Sequence, residues 1–460
     1  MTEHATTPAL PDGFRSIEPT VSICPQCLDR VTAELAIRDG SVYVVKSCPV
    51  HGQQIELREA NADYYLARNT FTKPGTRSVV QTESRRGCPF DCGLCPEHDQ
   101  HTCIGLIEIN GACELACPDC YTGRQDIPDL TLAEADRMMD FLQASESGQA
   151  EILQLSGGEP TLHPRLLDLI ALAKTKRFKY ILLNSNGLRL AEDDALVAGL
   201  AGLLPQFEVY LQYDGPSARG HSVFRGRDLR DIKERAIMRL TAAGIPVTLV
   251  ATVRQGVNDG EIGAILRHAM SIPGVRGVNY QPLAYYGDSR ADDRQDRLTL
   301  TGVLENLERQ TEGEFQLRDF VPLPCNVERV ALTFCYRENG RFVPITRKVD
   351  VREHLPLLGN TFAFDADEYL AQAAGDGGVC ACMARFLSAV RPFIPAGYGR
   401  LSEKEKAGYF NRNLFRISVS SFVDAYNFDL KSMQRECVHV VTRDLRRIPF
   451  SAYNLFHRNP

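Results

Sequence analysis

No basic block stands out in this chain of 460 residues, and 58 acidic side chains outnumber 52 Lys and Arg for a formal net charge of -6. Nucleic-acid binding rests on clustered Lys and Arg and is therefore not expected. No apolar stretch approaches the roughly 20 residues that a helix needs to cross a bilayer, so no transmembrane segment is expected. The N-terminal MTEHATTPALPDG has neither a charged n-region nor an apolar core; no secretory signal is expected, and residues 1–20 read as a disordered leader. Hydrophobic content of 44% supports a real core, and the length suffices for two or three domains. Cysteine is not lacking: there are 15. They cluster at metal-ligand spacings in a large chain, which argues for a reducing compartment, the cytoplasm.

The densest signal is NGACELACPDCY, where Cys113, Cys117 and Cys120 follow the apolar run 104–109 as C-x3-C-x2-C. Iron–sulfur clusters are held by thiolates, one per iron. Three ligands on a four-iron cube leave one iron open to a small chelating molecule, whereas structural zinc wants a fourth ligand and a closed tetrahedron. Spacing alone leaves both open. Further on, the strand-like ILQLSGGEP ends in Ser156-Gly157-Gly158-Glu159-Pro160. Glycines there would let the backbone approach a ligand closely, although an ordinary strand-to-helix turn uses the same residues.

Two cysteine groups precede that motif. Residues 21–60 read as a β-rich, rubredoxin-like metal ribbon with Cys24 and Cys27 on one knuckle and Cys48 and His51 on the other. A Cys3His set suits zinc, iron remains open, and His51 has the alternative of capping a turn. In 61–103, Cys88, Cys92, Cys95 and Cys103 form C-x3-C-x2-C-x7-C, a four-thiolate set expected to hold an auxiliary [4Fe-4S] cluster or a second metal. Its first three members share the spacing of the later loop, but no strand precedes Cys88. His98 and His101 are spare ligands or simply solvated.

From residue 104 the pattern turns regular. Strand-like runs at 104–109, 152–155, 180–183, 207–212, 246–253 and 277–281 alternate with helical stretches near 131–144, 164–176, 192–204, 228–243, 259–270 and 299–310. Six such units predict an α/β fold, a partial (β/α)6 barrel over 104–315, with parallel strands and right-handed crossovers. Residues 316–460 are expected to form an α+β extension covering the barrel mouth. The strand ends are polar: Asn184 and Asn186, then Gln212 and Asp214, then Asn258 and Asp259. Each could merely cap a helix, but together they predict a polar pocket at the strand C-termini.

The cysteine loop through Tyr121, followed by SGGEP, resembles the radical S-adenosylmethionine (SAM) superfamily. The resemblance implies a [4Fe-4S] cluster on Cys113, Cys117 and Cys120, with SAM chelating the open iron. SAM is then cleaved reductively to a 5'-deoxyadenosyl radical that takes hydrogen from an unactivated carbon. It places Tyr121, Gly157, Gly158 and Glu159 along SAM, Asn184 and Asn186 near it, and Gln212 and Asp214 toward ribose or substrate. It also implies a flavodoxin- or ferredoxin-type reductant. The order CPQC, CPVHG, RGCPFDCGLCPEHDQHTC and then the loop, with LQYDG, GVND, NYQP and FVDAYNFDL downstream, looks like one subfamily. It contains the archaeal tetraether lipid synthase and the hydroxymethylpterin methylases.

That subfamily implies carbon–carbon bond formation, foremost the coupling of lipid chains, with methylation of a pterin-like molecule as the alternative. A lipid would need an apolar channel, for which Leu355, Leu357, Leu358, Phe362, Phe364 and Phe393 are candidates. A pterin would want a compact pocket with Asn279, Gln281 and Asp214. The C-terminal part departs from the pattern, because Glu436 and Ser451 stand where relatives tend to carry cysteine, and Cys325 lacks its usual following Cys. Cys325, Cys335, Cys380, Cys382 and Cys437 thus form no obvious four-thiolate set, and Cys380 with Cys382 could chelate one metal. An electron carrier without substrate is a remote alternative that would need neither SGGEP nor a polar pocket.

Overall fold

The computed structural model describes residues 8–123, 127–286, 297–358 and 381–458, the side chains of 381–383 excepted. Phe362, Phe364, Cys380 and the Cys382 side chain lie outside the described residues.

The first unit is an antiparallel meander of β1 (Arg15–Ile23), β2 (Arg30–Arg38), β3 (Ser41–Cys48) and β4 (Gly52–Glu59) in that spatial order. Asp39 and Gly40, both at positive φ, make the two-residue turn between β2 and β3 that hairpin twist favours. Alternation along the strands buries Ala33, Leu35, Val42 and Val44 against Ala62 and Tyr65 of α1 (Ala62–Ala67). The leader expected over 1–20 is corrected here. β1 starts at Arg15 and pairs with β2 from Arg15–Ile37 to Ile23–Arg30. As an edge strand it tolerates Pro19, the residue that hides it in the sequence.

The second unit is a 12-stranded sheet. Its centre is the expected parallel series β5 (Ile104–Glu108), β6 (Ile152–Ser156), β7 (Tyr180–Ser185), β8 (Phe207–Gln212), β9 (Val247–Val253) and β10 (Val275–Pro282), each beside the next. The helices on its outside are α2 (Leu132–Ser145), α3 (Leu166–Thr175), α4 (Asp194–Ala201), α5 (Ala218–Arg225), α6 (Arg230–Ala242), α7 (Ile262–Ser271) and α8 (Leu300–Gln310). α2 shows why they form: Thr131 and Glu134 close a capping box, and Ala135, Met138, Met139 and Leu142 give it one buried face. α5 has no counterpart among the expected helices.

The C-terminal extension does more than cover the barrel. It supplies β11 (Val321–Pro322), β12 (Val330–Glu338), β13 (Arg341–Pro344), β14 (Leu414–Ser420), β15 (Val438–Val441) and β16 (Arg447–Pro449). β14 lies parallel beside β10, and β15 lies parallel beside β5. The six expected strands are therefore continued by one parallel strand at each edge, with β12 and β16 antiparallel beyond them.

Candidate active site and metal centres

β5 runs directly into the cysteine loop, and the end of β6 holds that loop in place. Ile109 N donates to Ser156 O (2.8 Å), Gly158 N to Asn110 O (2.8 Å) and Glu159 N to Ala112 O (2.7 Å). A Cβ on Gly157, which has φ +137°, would stand 2.3 Å from Asn110 O, and one on Gly158 would stand 2.3 Å from Ala112 O. Both glycines are thus required by the apposition of the two loops themselves. Cys113 is exposed, and Cys117 and Cys120 are half-buried. The C-terminal segment closes over the loop: Tyr121 packs edge-on to Phe450 at 5.3 Å, and Arg458 pairs with Glu108 at the end of β5 (2.6 Å).

The strand ends form a linked polar rim. Glu159 is buried and accepts from Thr161 Oγ1 (2.6 Å), Ser185 Oγ (2.8 Å) and Asn186 N (2.7 Å), which ties β6 to β7. Burial raises its pKa, against the pull of those hydrogen bonds. Asn186 Nδ2 donates to Glu114 in the cysteine loop (3.2 Å), and Asn184 Nδ2 donates to Ser156 Oγ (3.3 Å). The sequence reading missed Arg225, the last residue of α5. Its guanidinium forms a fork on buried Asp214 (2.7 and 2.8 Å), donates to Gln212 Oε1 (2.9 Å) and reaches Cys117 Sγ at 4.0 Å. Gln212 and Asp214 therefore position a cation beside the cluster loop, and Asp214 lies behind Arg225 rather than on the cavity wall. Lys233 is buried next to this group with its ammonium on Asn186 O, and burial brings its pKa down to about 8.

One cavity of about 1400 Å³ runs from this rim into the barrel. The three loop cysteines, Tyr121, Gly157 to Glu159, Asn184, Asn186 and Gln212 all line it, as do Asn279 and Gln281. Three cysteines beside a cavity of that size, with a polar rim at the strand ends, fit a three-cysteine cluster with SAM next to it. None of Leu355, Leu357, Leu358 and Phe393 is on its wall. Leu357 and Leu358 pack under Phe386 instead, and Phe393 packs on Tyr336.

The other cysteines sort into three groups. Cys24, Cys27, Cys48 and His51 converge with ligand atoms within 4.8 Å of one another. The pairs Cys24–His51 (3.4 Å) and Cys48–His51 (3.5 Å) suit one tetrahedral ion, and His51 joins the set rather than capping a turn. Cys88, Cys92 and Cys95 stay together, with Cys88 and Cys92 in apolar packing against Val423, Phe428 and Ile448. Their expected fourth partner does not join them. Cys103 meets Cys325 and Cys437, all three fully buried and within 4.8 Å of one another, with His101 Nε2 3.7 Å from Cys103. Burial pushes the thiols of Cys103 and Cys437 up. Three sulfurs this close, with an imidazole beside them, make a donor set that could hold a metal. Glu436 and Ser451 hydrogen-bond each other (2.9 Å), so a carboxyl–hydroxyl pair occupies the positions of the absent cysteines. Buried Cys335 stands apart in the main core.

Comparison with known proteins agrees with this arrangement. Residues 82–269 match the radical SAM superfamily, and residues 16–58 match the zinc ribbon domain described as HMPTM N-terminal. The chain is 31% identical to 7,8-dihydro-6-hydroxymethylpterin dimethyltransferase of Methanocaldococcus jannaschii, over 95% of this chain and 94% of that protein. It is 28% identical to the mycofactocin maturase MftC of Mycobacterium tuberculosis over 45% of this chain and 51% of that one. The solved structure of Streptococcus suis SuiB bound to precursor peptide SuiA aligns at TM-score 0.40 and 14% identity, over 47% of this chain and 46% of that chain. With its zinc ribbon, its three-cysteine loop against the SGGEP strand end and this relative matched along nearly its whole length, the chain belongs to the radical SAM superfamily of enzymes.

Proposed function

We propose that this enzyme methylates a pterin-like heterocycle, with a folate-type one-carbon donor as the source of the methyl carbon. The observation that carries the reading is the 31% identity to a pterin dimethyltransferase through 95% of the chain, ribbon included. The cavity wall supports it: Asn279, Gln281 and Gln212 place amide side chains along it, groups of the kind a fused heterocycle recognises. Lipid coupling, the foremost expectation from sequence, has less support, because three of its candidate channel residues, Leu357, Leu358 and Phe393, pack away from the cavity.

Cys113, Cys117 and Cys120 would hold the cluster. When bound, cluster and SAM supply a carbon-centred radical able to take hydrogen from an unactivated carbon. The protein supplies position and enclosure. Glu159 locks two strand ends in register, Arg225 sets a fixed positive charge beside Cys117, and Asn186 ties the loop to the rim. Tyr121, Phe450, Tyr286 and Phe422 form an aromatic cover that keeps water from a reactive radical. An electron donor of the flavodoxin or ferredoxin type completes the system. Cysteines gathered at metal-ligand spacings suit work in the reducing cytoplasm.

The test uses anaerobic, cluster-reconstituted enzyme with SAM, dithionite and either deuterated 6-hydroxymethyldihydropterin or a deuterated lipid extract. Deuterium should appear in 5'-deoxyadenosine from the pterin pool. Transfer from the lipid pool alone would overturn this reading in favour of chain coupling.

A further inference from the structure

The far end of the same cavity is built differently from the rim. Parallel barrels are ordinarily packed inside with layers of bulky aliphatic side chains. Here the inward positions include Gln154, Glu208, Tyr210, Asn279 and Ser418, and the cavity continues past them to the N-terminal ends of the strands. Two arginines wait there, Arg276 on β10 and Arg416 on β14.

Their placement needs two local devices. The pairing of β10 with β9 slips between Val275 and Gly277, so Arg276 is the extra residue of a β-bulge. A bulge re-aims a side chain, and this one brings Arg276 to the cavity although Asn279 and Gln281 already take the inward parity. The next residue, Gly277, is paired with Arg416, and a Cβ on it would stand 2.5 Å from Arg416 O. The two arginines are thus neighbours across strands.

Their protein partners leave charge and donors over. Arg276 Nη1 donates to Tyr180 OH (2.7 Å) and lies 3.7 Å from Glu208, while Arg416 Nη2 donates to Tyr210 OH (2.5 Å) and Thr248 Oγ1 (3.4 Å). Among the described residues, Nε and Nη2 of Arg276 and Nε and Nη1 of Arg416 have no protein partner, and the Arg276 side chain is 26% exposed. Two guanidinium groups share one carboxylate, Glu208. Lys179, paired with Glu151 at 3.5 Å, adds no anion to the balance. Tyr180 and Tyr210 are held neutral by burial, which raises both pKa values. Adjacent forked donors with surplus positive charge suit bidentate binding of phosphate oxygens.

We propose that Arg276 and Arg416 bind the phosphate or diphosphate ester end of an elongated substrate whose reacting end lies at the cysteine loop. Four residues separate this floor from the rim along β7 and β14, about 13 Å at strand rise. A bare pterin alcohol does not span that length, and its phosphorylated ester approaches it. The inference rests on the pterin reading for the identity of the reacting end alone.

The test is anaerobic titration calorimetry on the SAM-loaded holoenzyme with inorganic diphosphate, 6-hydroxymethylpterin, its diphosphate ester and a short-chain glycerophospholipid. The ester is expected to bind at least about tenfold more tightly than the alcohol, as charge-assisted bidentate contacts would give, and inorganic diphosphate should compete with it. R276Q and R416Q should each erase that advantage, with R276K and R416K recovering part of it. Iron content and circular dichroism identify any variant that fails to fold, and then the wild-type ester-to-alcohol ratio decides. Diphosphate binding that depends on both arginines without any pterin binding keeps the anion site and removes the pterin. Tighter binding of the glycerophospholipid than of the ester also keeps the site and assigns its phosphate to a lipid headgroup. Equal affinity for ester and alcohol, or an advantage that survives both Gln variants, overturns the proposal.

Discussion

The ribbon and the barrel both gather cysteines, and they do so in opposite ways. In the ribbon, Cys24, Cys27, Cys48 and His51 come from two short knuckles of one small sheet and converge as four donors, the number that closes a tetrahedral ion to substrate. At the barrel rim, Cys113, Cys117 and Cys120 stand on one loop, one exposed and two half-buried, facing a cavity of about 1400 Å³. Ligand count and enclosure distinguish the closed four-ligand set of the ribbon from the open three-cysteine loop.

The sharpest way to break that contrast is to remove a ligand from each. C113A, C117A or C120A should abolish 5'-deoxyadenosine formation while ribbon metal content stays at wild-type level. Loss of the ribbon ion in the same variants would show that the two centres are not independent. R225Q should come next, with a loss of about 10–100-fold in SAM cleavage at unchanged iron content, as for other residues that orient metal ligands. R225K should recover part of the loss; full activity in R225Q would remove Arg225 from the site. In the ribbon, C27A or H51A should lose one metal per chain and lower the Tm, yet change the cleavage rate by no more than about threefold, because structural metal is folding energy. A larger drop would give the ribbon a catalytic part.

The smallest effect concerns how the ribbon is fastened. Lys46 on β3 is fully buried and donates to Ile23 O (3.0 Å) and Ala425 O (2.7 Å), and burial brings its pKa down to about 7 from 10.5. Between those two values the unfolded chain binds a proton that the native chain does not, so this group makes stability rise with pH from about 7 to about 10.5. K46M should flatten that rise in urea midpoints measured across the window; an unaltered slope would mean that the native ammonium keeps its proton.

Much of this was legible in the sequence. The six central strands and their helices carry clear periodicity, and observed bounds differ from the expected ones by a few residues at most for the strands. Local ligand spacing named the ribbon set and the cysteine loop. What escaped depends on distance along the chain or on weak local pattern. ARGHSVFR in α5 is short and polar, so the helix that delivers Arg225 gave no signal. The x7 spacing made Cys103 look like a partner of Cys95, whereas residues 222 and 334 positions further on, Cys325 and Cys437, surround it. The β-bulge that turns Arg276 inward has no sequence signature of its own.

The position of β15 beside β5 also bears on biosynthesis. About 330 residues must be made after β5 before its outer neighbour exists, and pairing at such separation forms late. A nascent chain released near residue 400 would carry the ribbon, the cysteine loop and SGGEP, yet it would lack both strands that border the sheet's parallel series and the segment that covers the cysteine loop. Such a chain would leave that loop uncovered, because Phe450 and Arg458 reach it only from the segment after β15.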